Sequence, residues 1–482
     1  MCSVQEEGAV MPEKKKELLD VKCKCGEKPI ISIRVDHSLC RNCFLSFATH
    51  KFRSSFGKSR VVRDGDKILM AVSGGNSSVA MLHLYKEGKS PRAHKKLRFD
   101  ASVIYIDEGA VVCSPKKDRN ATCQEIAALV KKSDLPLYLF RIEQAMEDSK
   151  KEVLPLEVSS LDNSAGDSVD QSDDLYNRLH EALSSAKSLT AKENLVIILR
   201  ERLLHRVAKQ LGFNKIMVGD SASRLSSCLL SDITQGRGAH VAQNMSFASN
   251  SDGDITTMRP MREFTVKEIA LYNTLNRLET VISPNLSTQA PINASLNRLT
   301  EHFVMGLQAD FPATVPTIFR TGTKLEGESA TELSEEQTCV LCQCRLDTSV
   351  GPSSALSATE FSQQLCQKKP TTTKTSSTSS NSASTASNSC SNPDNSSCSS
   401  GASASECCGE GDGSCQSTMK LTSISKEELA SALCYGCRIL IREMKTINAL
   451  PEEVIAEALK RQRRESMRKD IEGFLISDDP DP

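Results

Sequence analysis

The sequence predicts an α/β protein built on a doubly wound parallel sheet, with a cysteine-knuckle zinc module at each end of the chain and disordered insertions. Three observations carry this prediction. Short apolar strands alternate with helices from about residue 64 to 276, a glycine pair follows the first of these strands, and close cysteine pairs precede and follow the alternating region. Strands that alternate with helices pair in parallel, and ligands sit at the carboxyl ends of such strands.

Length, charge and composition narrow the class of protein. The chain has 482 residues and a formal net charge of −1, so nucleic-acid binding must use a local patch. No run of about 18 apolar residues is present, which predicts no membrane partner. The first twenty residues lack the apolar segment of a secretory signal. We therefore expect a cytoplasmic protein whose 19 cysteines bind metal or act as thiols.

Two cysteine pairs close to the N-terminus indicate a first zinc site. Fourteen residues separate the two pairs, which comprise Cys23, Cys25, Cys40 and Cys43. Two pairs joined by a hairpin can supply four thiolates to a tetrahedral Zn²⁺. The first pair is tighter than a standard knuckle, so His37 remains an alternative ligand, and buried unligated cysteines remain the other interpretation.

A basic segment with interleaved aromatics follows the first cysteine pairs. In "HKFRSSFGKSRVVR" the aromatics are Phe52 and Phe56, and the cations are Lys51, Arg53, Lys58, Arg60 and Arg63. Positive charge beside aromatic rings can hold an RNA backbone and stack a base, which makes these cations candidate tRNA-binding residues. A solvated helix face gives the same pattern.

The glycine pair lies between a predicted strand and a predicted helix. The apolar run from Ile68 to Val72 predicts a buried strand, and the apolar spacing that starts at Val79 predicts a helix. The turn between them offers backbone N–H groups and the positive end of a helix dipole, which suit a phosphate. A glycine needed only for the bend is the alternative.

The alternation continues along the next 150 residues. "FDASVIYID" predicts a second strand that ends at Asp107, "ATCQEIAALVKKS" a helix and "LPLYLFRIE" a third strand. Polar composition between about 147 and 190 predicts an inserted acidic loop. "NLVIILRERLLHRVAKQLG" then predicts a helix, "KIMVGD" a strand, and another helix starts near Ala222.

The C-terminal part carries a second set of cysteine pairs around a low-complexity tract. A shared metal is expected for Cys339, Cys342, Cys434 and Cys437, because closure entropy grows only with the logarithm of loop length. The serine- and threonine-rich insertion at about 345–420 predicts disorder. A final helix ends in a basic run, which suits RNA or an ordinary charged face.

These features predict four regions. Residues 1–60 form the zinc knuckle and basic arm, and 61–330 form the α/β domain. Residues 331–440 carry the second pair of knuckles around the insertion, and 441–482 form a basic helix and tail.

The motifs together resemble the ATP-pyrophosphatase, or PP-loop, superfamily (the adenine nucleotide alpha hydrolase-like fold), whose loop reads S-G-G-x-D-S. Within it, both knuckles, "RPMREFTVKEIALY" and the terminal "LCYGC" are similar to the cytoplasmic tRNA 2-thiolation protein 2 family, the second cytosolic thiouridylase subunit. The resemblance implies ATP/Mg²⁺ as a further cofactor beside Zn²⁺. It implies nucleotide-binding positions at Asp107 and in the loop residues Ser73, Gly74, Gly75, Asn76, Ser77 and Ser78.

The resemblance also implies a reaction and its partners. The family belongs to the complex that installs the 2-thio group on the wobble uridine of the lysine, glutamine and glutamate tRNAs. The expected partners are tRNA, a catalytic PP-loop thiouridylase paralogue as heterodimer mate, and a thiocarboxylated ubiquitin-related modifier as sulfur donor. In that chemistry ATP adenylates the uracil oxygen, and sulfur then displaces AMP.

Departures from the superfamily pattern favour a non-catalytic subunit. Ser77 occupies the aspartate position of the loop, and Glu193 and Val196 stand where a catalytic cysteine pair is expected. The acidic pair expected at 219–224 is also missing. Two alternatives stay open: a zinc-dependent scaffold with a vestigial nucleotide fold, and a self-sufficient sulfurtransferase in which Asn76, Ser77 or Asp107 contacts the metal and Cys113 or Cys228 carries sulfur.

Overall fold

The structure is a computed structural model of the chain. It describes residues 22–34, 37–91, 93, 96–148, 151–158, 171–250, 255–288, 290–325, 337–346 and 424–472. The centre of the predicted acidic loop and nearly all of the predicted serine-rich insertion lie outside these residues. No helix in the described ranges is long and apolar enough to cross a membrane.

The N-terminal part is a hairpin followed by a long helix. Strands β1 (Ile31–Arg34) and β2 (His37–Leu39) pair antiparallel, as the spacing of the cysteine pairs predicts. Helix α1 (Arg41–Ser59) follows directly and buries Phe44, Phe52 and Phe56. The hairpin and helix thus bring the two ends of the first cysteine motif together.

A six-stranded sheet forms the centre of the fold. Its strands are β3 (Lys67–Ala71), β4 (Asp100–Asp107), β5 (Leu137–Arg141), β6 (Lys215–Met217), β7 (Ala248–Asn250) and β8 (Thr256–Met258). The spatial order is β5-β4-β3-β6-β8-β7, parallel except for the antiparallel edge strand β7. The parallel doubly wound sheet is therefore confirmed, and the order reverses between β3 and β6, where such sheets bind ligands.

Helices cover both faces of the sheet. Between the strands lie α2 (Asn76–Lys89), α3 (Lys116–Lys131), α4 (Gln171–Ser185), α5 (Leu189–Gln210), α6 (Ala222–Thr234) and α7 (Val241–Met245). After the sheet come α8 (Val266–Asn276), α9 (Leu296–Asp310), α10 (Thr314–Gly322), α11 (Lys426–Ser431), α12 (Tyr435–Glu443) and α13 (Glu452–Glu472).

Alternate residues of the strands feed two separate hydrophobic cores. Leu69, Ile104 and Phe140 face a core that also contains buried residues of α4, α5, α11, α12 and α13. Ile68 and Met70 face the other core, together with α1, α2, α3 and α8. The C-terminal helices are therefore built into one face of the sheet rather than attached beside it.

The stretch predicted as an acidic loop carries helix α4, which corrects the sequence interpretation. Leu175, Leu179 and Leu183 recur at helical spacing, and all three are buried in the core. The serines and aspartates around these leucines make the stretch polar as a whole and conceal its apolar stripe. The loop prediction at about 147–190 is thus wrong for Gln171–Ser185.

Candidate nucleotide loop and cysteine sites

The glycine loop sits where the strand order reverses, against the loop that follows β6. The Ser77 hydroxyl donates a hydrogen bond to the carbonyl oxygen of Gly219. A Cβ atom on Gly219 would lie 3.2 Å from the backbone nitrogen of Ser78, so this close approach favours glycine. Ser77, which occupies the aspartate position of the superfamily motif, therefore ties the two loops together.

The two glycines of the loop have different roles. Gly74 is buried with φ +79°, and a Cβ there would lie 2.6 Å from Ile126 Cδ1 and 2.9 Å from the Val281 carbonyl oxygen. The Val281 N–H also donates to the Gly74 carbonyl oxygen at 3.0 Å. By contrast, a Cβ on Gly75 would meet only Ser73 Oγ at an ordinary 3.6 Å. Packing thus requires glycine at position 74, whereas position 75 has room for a Cβ atom.

The start of α2 fits an anion better than the rest of the loop does. Gly75 is the N-cap of this 14-residue helix, and no side chain caps it. Ser73 and Asn76 are exposed beside it, and Ser78 is buried. The uncapped N–H groups and the helix dipole point toward the carboxyl edge of the sheet, so this end of α2 can accept a phosphate.

Asp107 lies in a buried ion network rather than facing the loop. Its carboxylate accepts from Arg119 Nε at 2.6 Å and from the Gly109 N–H at 2.9 Å. Arg119 also donates from Nη2 to both oxygens of Glu143 at 2.8 and 3.0 Å. Burial alone would lower the pKa of Arg119, but the two carboxylates outweigh it and raise that pKa. No sequence motif indicates that Arg119 pairs with Asp107 or that Glu143 shares the same guanidinium.

The positions aligned with a catalytic cysteine pair hold the fold together instead. The Glu193 carboxylate accepts from Ser295 Oγ at 2.6 Å and from Asn297 Nδ2 at 3.0 Å, which fixes the start of α9 to α5. Val196 is buried in the core. In the loop after β6, Asp220 pairs with Arg224 at 3.1 Å. Neither Glu193 nor Val196 offers sulfur chemistry, and Asp220 is tied to Arg224.

The two cysteines proposed as alternative sulfur carriers lie apart from the cysteine groups. Burial raises the pKa of Cys228 to about 11, so its thiol is protonated at neutral pH and is a weak nucleophile. Cys113 is exposed, and its Sγ lies 3.9 Å from His180 Nε2. That imidazole nitrogen lies 3.0 Å from the carbonyl oxygen of Ala110.

The first cysteine group forms one compact cluster. Its four Sγ atoms lie within 4.8 Å of one another, and they belong to Cys23, Cys25, Cys40 and Cys43. Backbone hydrogen bonds at Cys25 and Cys40 lower the pKa of Cys23 to about 6. A backbone hydrogen bond at Cys43 lowers the pKa of Cys40, but a hydrogen bond with Glu27 and burial outweigh it and raise that pKa to about 12. Without a metal the cluster therefore favours one thiolate, and metal binding must displace the remaining protons. Cys25 Sγ and Cys40 Sγ are 3.4 Å apart. The side chain of His37, the alternative ligand, lies outside the described part of the chain.

The second cysteine group is equally compact and more deeply buried. Its sulfurs also lie within 4.8 Å of one another, and its members are Cys339, Cys342, Cys434 and Cys437. Burial raises the pKa of Cys339, but hydrogen bonds from the neighbouring thiols outweigh it and lower the pKa, while the hydrogen bond with Cys339 raises the pKa of Cys437. The structure thus gathers residues separated by about ninety positions, and four thiol donors at this spacing fit a tetrahedral metal.

A buried guanidinium nitrogen without a hydrogen-bond partner, beside the second group, supports the same fit. The Arg237 guanidinium interacts electrostatically with Cys437, Cys342 and Cys434, and its Nη2 atom is buried with no hydrogen-bond partner. Buried charged donors are normally paired, so the vicinity of Arg237 is built for negative charge. A metal bound by four thiolates carries that charge.

The predicted RNA-binding residues divide into a buried and an exposed set. Lys51 Nζ pairs with Glu268 at 2.8 Å with only 15% of its side chain exposed, and it lies 4.6 Å from the ring centre of Phe264. Phe52 and Phe56 are core residues whose ring centres lie 5.3 Å apart. Lys51 and both aromatics thus make their contacts within the fold, and their part in an RNA surface stays a prediction.

The remaining cations of this segment differ in exposure. Arg53 is half-buried, and its Nε donates to the Thr49 carbonyl oxygen at 3.3 Å within α1. Lys58, Arg60 and Arg63 are exposed at the end of α1 and beyond it. These last three cations are the most exposed of the segment.

A parallel sheet with a glycine loop at its reversal point, combined with two four-cysteine groups, defines a PP-loop-type α/β protein with two candidate metal centres. A sequence profile described as "Cytoplasmic tRNA 2-thiolation protein 2" matches residues 295–439. "Cytoplasmic tRNA 2-thiolation protein 2-A" of Xenopus laevis is 34% identical, over 95% of this chain and 94% of that protein. "Cytoplasmic tRNA 2-thiolation protein 2" of Danio rerio is 34% identical over the full length of both.

The chain belongs to the cytoplasmic tRNA 2-thiolation protein 2 family. This confirms the resemblance seen in its motifs, and the family description agrees with the predicted cytoplasmic localisation. Among solved structures, the U34-tRNA thiolase NcsA from Methanococcus maripaludis with its 4Fe-4S cluster is 15% identical. The match covers 66% of this chain and 94% of that chain with a TM-score of 0.46.

Proposed function

We propose that this chain is a non-catalytic subunit of the cytosolic complex that 2-thiolates the wobble uridine of the lysine, glutamine and glutamate tRNAs. It binds tRNA and forms a heterodimer with a catalytic PP-loop paralogue. Sulfur comes from a thiocarboxylated ubiquitin-related modifier. The observation that carries this proposal is membership of the tRNA 2-thiolation family over nearly the whole chain, combined with the altered residues at each catalytic position.

Two altered positions and one occupied carboxylate support the non-catalytic assignment. Ser77, at the aspartate position, bonds a neighbouring loop, and Glu193, at a cysteine position, fixes α9 to α5. Asp107 is unaltered, but Arg119 holds its carboxylate. A catalytic site would need a carboxylate free for magnesium and a thiol free for sulfur at these places. Only the uncapped start of α2 would bind a nucleotide, because the backbone N–H groups of Gly75 and Asn76 can hold a phosphate there.

We further propose Zn²⁺ at both four-cysteine groups. The donor set of four thiols, the shape of each cluster and the buried Arg237 nitrogen without a hydrogen-bond partner beside the second one support a structural metal. A structural zinc supplies folding free energy and no reaction step. In this chain it would join the N-terminal hairpin to α1, and the segment around Cys339 to α12.

The first test is the 2-thiouridine content of the three tRNAs in cells depleted of this protein, measured by mass spectrometry of digested tRNA. We expect thiolation to collapse and to return on re-expression of the full chain. Unchanged thiolation after depletion would contradict the proposed pathway. Copurification of the PP-loop paralogue with the re-expressed chain checks the heterodimer independently.

Re-expression of Gly75→Ala separates a nucleotide-binding subunit from a scaffold with a vestigial loop. The added methyl group fits the fold but enters the space where a phosphate would approach. Full rescue by this variant indicates a scaffold, and failed rescue by a folded variant indicates that the loop is used. Gly74→Ala is unsuitable for this purpose, because overlap with Ile126 and a positive φ destabilise the fold whatever the loop binds.

Charge reversal at the exposed end of the basic segment tests tRNA contact. We expect Arg60→Glu with Arg63→Glu to weaken tRNA binding and to reduce the salt dependence of the binding constant by about two phosphate contacts, a change of roughly 1.4–1.8 in the log–log slope. Filter binding at several salt concentrations gives that slope. Lys132→Glu is the matched control, because Lys132 is also exposed but lies on the turn after α3. A slope equal to that of the unaltered chain would exclude Arg60 and Arg63 from the tRNA surface.

A further inference from the structure

The second cysteine group contacts the turn between α6 and α7 through two reciprocal glycine contacts. A Cβ atom on Gly236, where φ is +72°, would overlap the ring of Tyr435. A Cβ atom on Gly436 would overlap the side chain of Arg237. Each glycine thus leaves room for the large side chain opposite. Because Tyr435 and Gly436 lie between Cys434 and Cys437, this packing holds Arg237 against the helix turn that carries two of the sulfurs.

Two side chains of this turn approach the sulfurs. The Arg237 guanidinium is close enough to Cys437, Cys342 and Cys434 to interact with them electrostatically, and its Nη2 is buried without a hydrogen-bond partner. The His240 side chain is 7% exposed and interacts with the Cys434 side chain. The Asp232 carboxylate also interacts electrostatically with Arg237, so this carboxylate and the cysteine sulfurs share one guanidinium.

A divalent metal with four thiolate ligands has a net charge of −2, which is costly to bury unless cations and N–H donors surround it. Residues that donate to metal-bound atoms orient the ligands and raise the affinity of the site. Arg237 and His240, which lie beside the four sulfurs, meet this requirement.

We propose that Arg237 and His240 are positioning residues of the C-terminal metal centre: they donate to its thiolates, offset its charge and attach it to the central α/β fold. This inference rests on the proposed metal at Cys339, Cys342, Cys434 and Cys437. It assigns the α6–α7 turn, which carries no metal-binding motif, to the metal site. Loading of the metal then orders the contact between α12 and this turn.

The test uses the full-length chain loaded with Zn²⁺ and titrated with a chromophoric chelator. The unaltered chain is expected to hold two equivalents. Arg237→Met removes the charge and keeps much of the side-chain volume, so we expect one equivalent to bind about 10–100-fold more weakly while the other is unchanged. The N-terminal group serves as an internal control, and Arg320→Met, at an exposed site on α10, is the matched control. Arg237→Lys should lose less affinity, because it keeps the charge.

Co²⁺ substitution gives a second readout that does not depend on affinity. The ligand-field band of the C-terminal site should shift in Arg237→Met and in His240→Ala, because the thiolates lose donors. If Arg237→Met does not fold, Gly436→Ala serves instead, since its methyl group displaces the Arg237 side chain. A folded Arg237→Met or Gly436→Ala chain with two equivalents at unaltered affinity would overturn the inference.

The outcome is independent of the tRNA experiment. An unaltered chain that holds only the N-terminal equivalent would overturn both the C-terminal metal site and this inference, whatever its effect on thiolation. Unchanged thiolation after depletion would overturn the proposed pathway and leave the metal titration intact.

Discussion

Cys434→Ser is expected to release one of two metal equivalents and to cause a loss of stability larger than that of an ordinary core substitution. Cys434 is 3% exposed and lies in the core that contains Leu433, Leu440 and Ile441. Structural zinc contributes about 10–16 kcal/mol in small zinc modules, which equals or exceeds the whole stability of a typical domain. Removing one thiolate ligand therefore costs more than the packing of one buried side chain.

The measurement combines metal content by mass spectrometry with thermal unfolding by circular dichroism. We expect α12 and the segment around Cys339 to unfold before the rest of the chain, which splits a single transition into two. Cys228→Ser is the control, because Cys228 lies on α6 and belongs to neither four-cysteine group. A Cys434→Ser chain that keeps both equivalents and the unfolding midpoint of the control would contradict the metal assignment.

The sheet and the loop were predictable because their signals are local. An apolar run of strand length, a glycine turn and an apolar helical period occur within twenty residues, and the structure places β3 and α2 there. The four-cysteine groups were predictable for the same reason, because the two cysteines of each pair are separated by only one or two residues. The separation of about ninety residues between the C-terminal pairs adds little closure cost.

The surroundings of the basic and aromatic residues depend on tertiary contacts. Lys51, Phe52 and Phe56 lie on one helix, and an alternating basic and aromatic pattern does not indicate which face packs. The answer depends on Glu268, which lies 217 positions away and pairs with Lys51. Helix α4 was missed for a related reason, because three leucines in a polar stretch become a core stripe only when the helical turn Ile142–Met146, which follows β5, packs against them.

The pairing of Arg119 with Asp107, a predicted nucleotide-site residue, is likewise a tertiary contact that the sequence does not indicate. Asp107 ends a strand at the ligand edge, which is a reasonable position for a metal contact. Nothing near it in the sequence indicates that Arg119, twelve residues on, reaches back to its carboxylate. A carboxylate at the end of a strand can bind a ligand or form an ion pair that stabilises the fold. The positions of the neighbouring side chains decide which of the two it does.

Arg119→Met is expected to destabilise the fold by about 3–5 kcal/mol, because it leaves two carboxylates buried without their cation. The side chains of Arg119, Asp107 and Glu143 are each 3% exposed, so water cannot replace the guanidinium. Methionine fills much of the volume, and the cost therefore comes from charge rather than from a cavity. Urea unfolding of the full-length chain, followed by circular dichroism, measures the free energy.

The matched control is Arg98→Met, which breaks an ion pair with Asp64 in which both side chains are more than 70% exposed. Exposed pairs contribute about 0–1 kcal/mol, so the two arginines should differ by several-fold in cost. Adding Asp107→Asn and Glu143→Gln to Arg119→Met should recover part of the lost stability, because amides carry no charge into the core. Equal costs for Arg119→Met and Arg98→Met would contradict the stabilising role of this buried network.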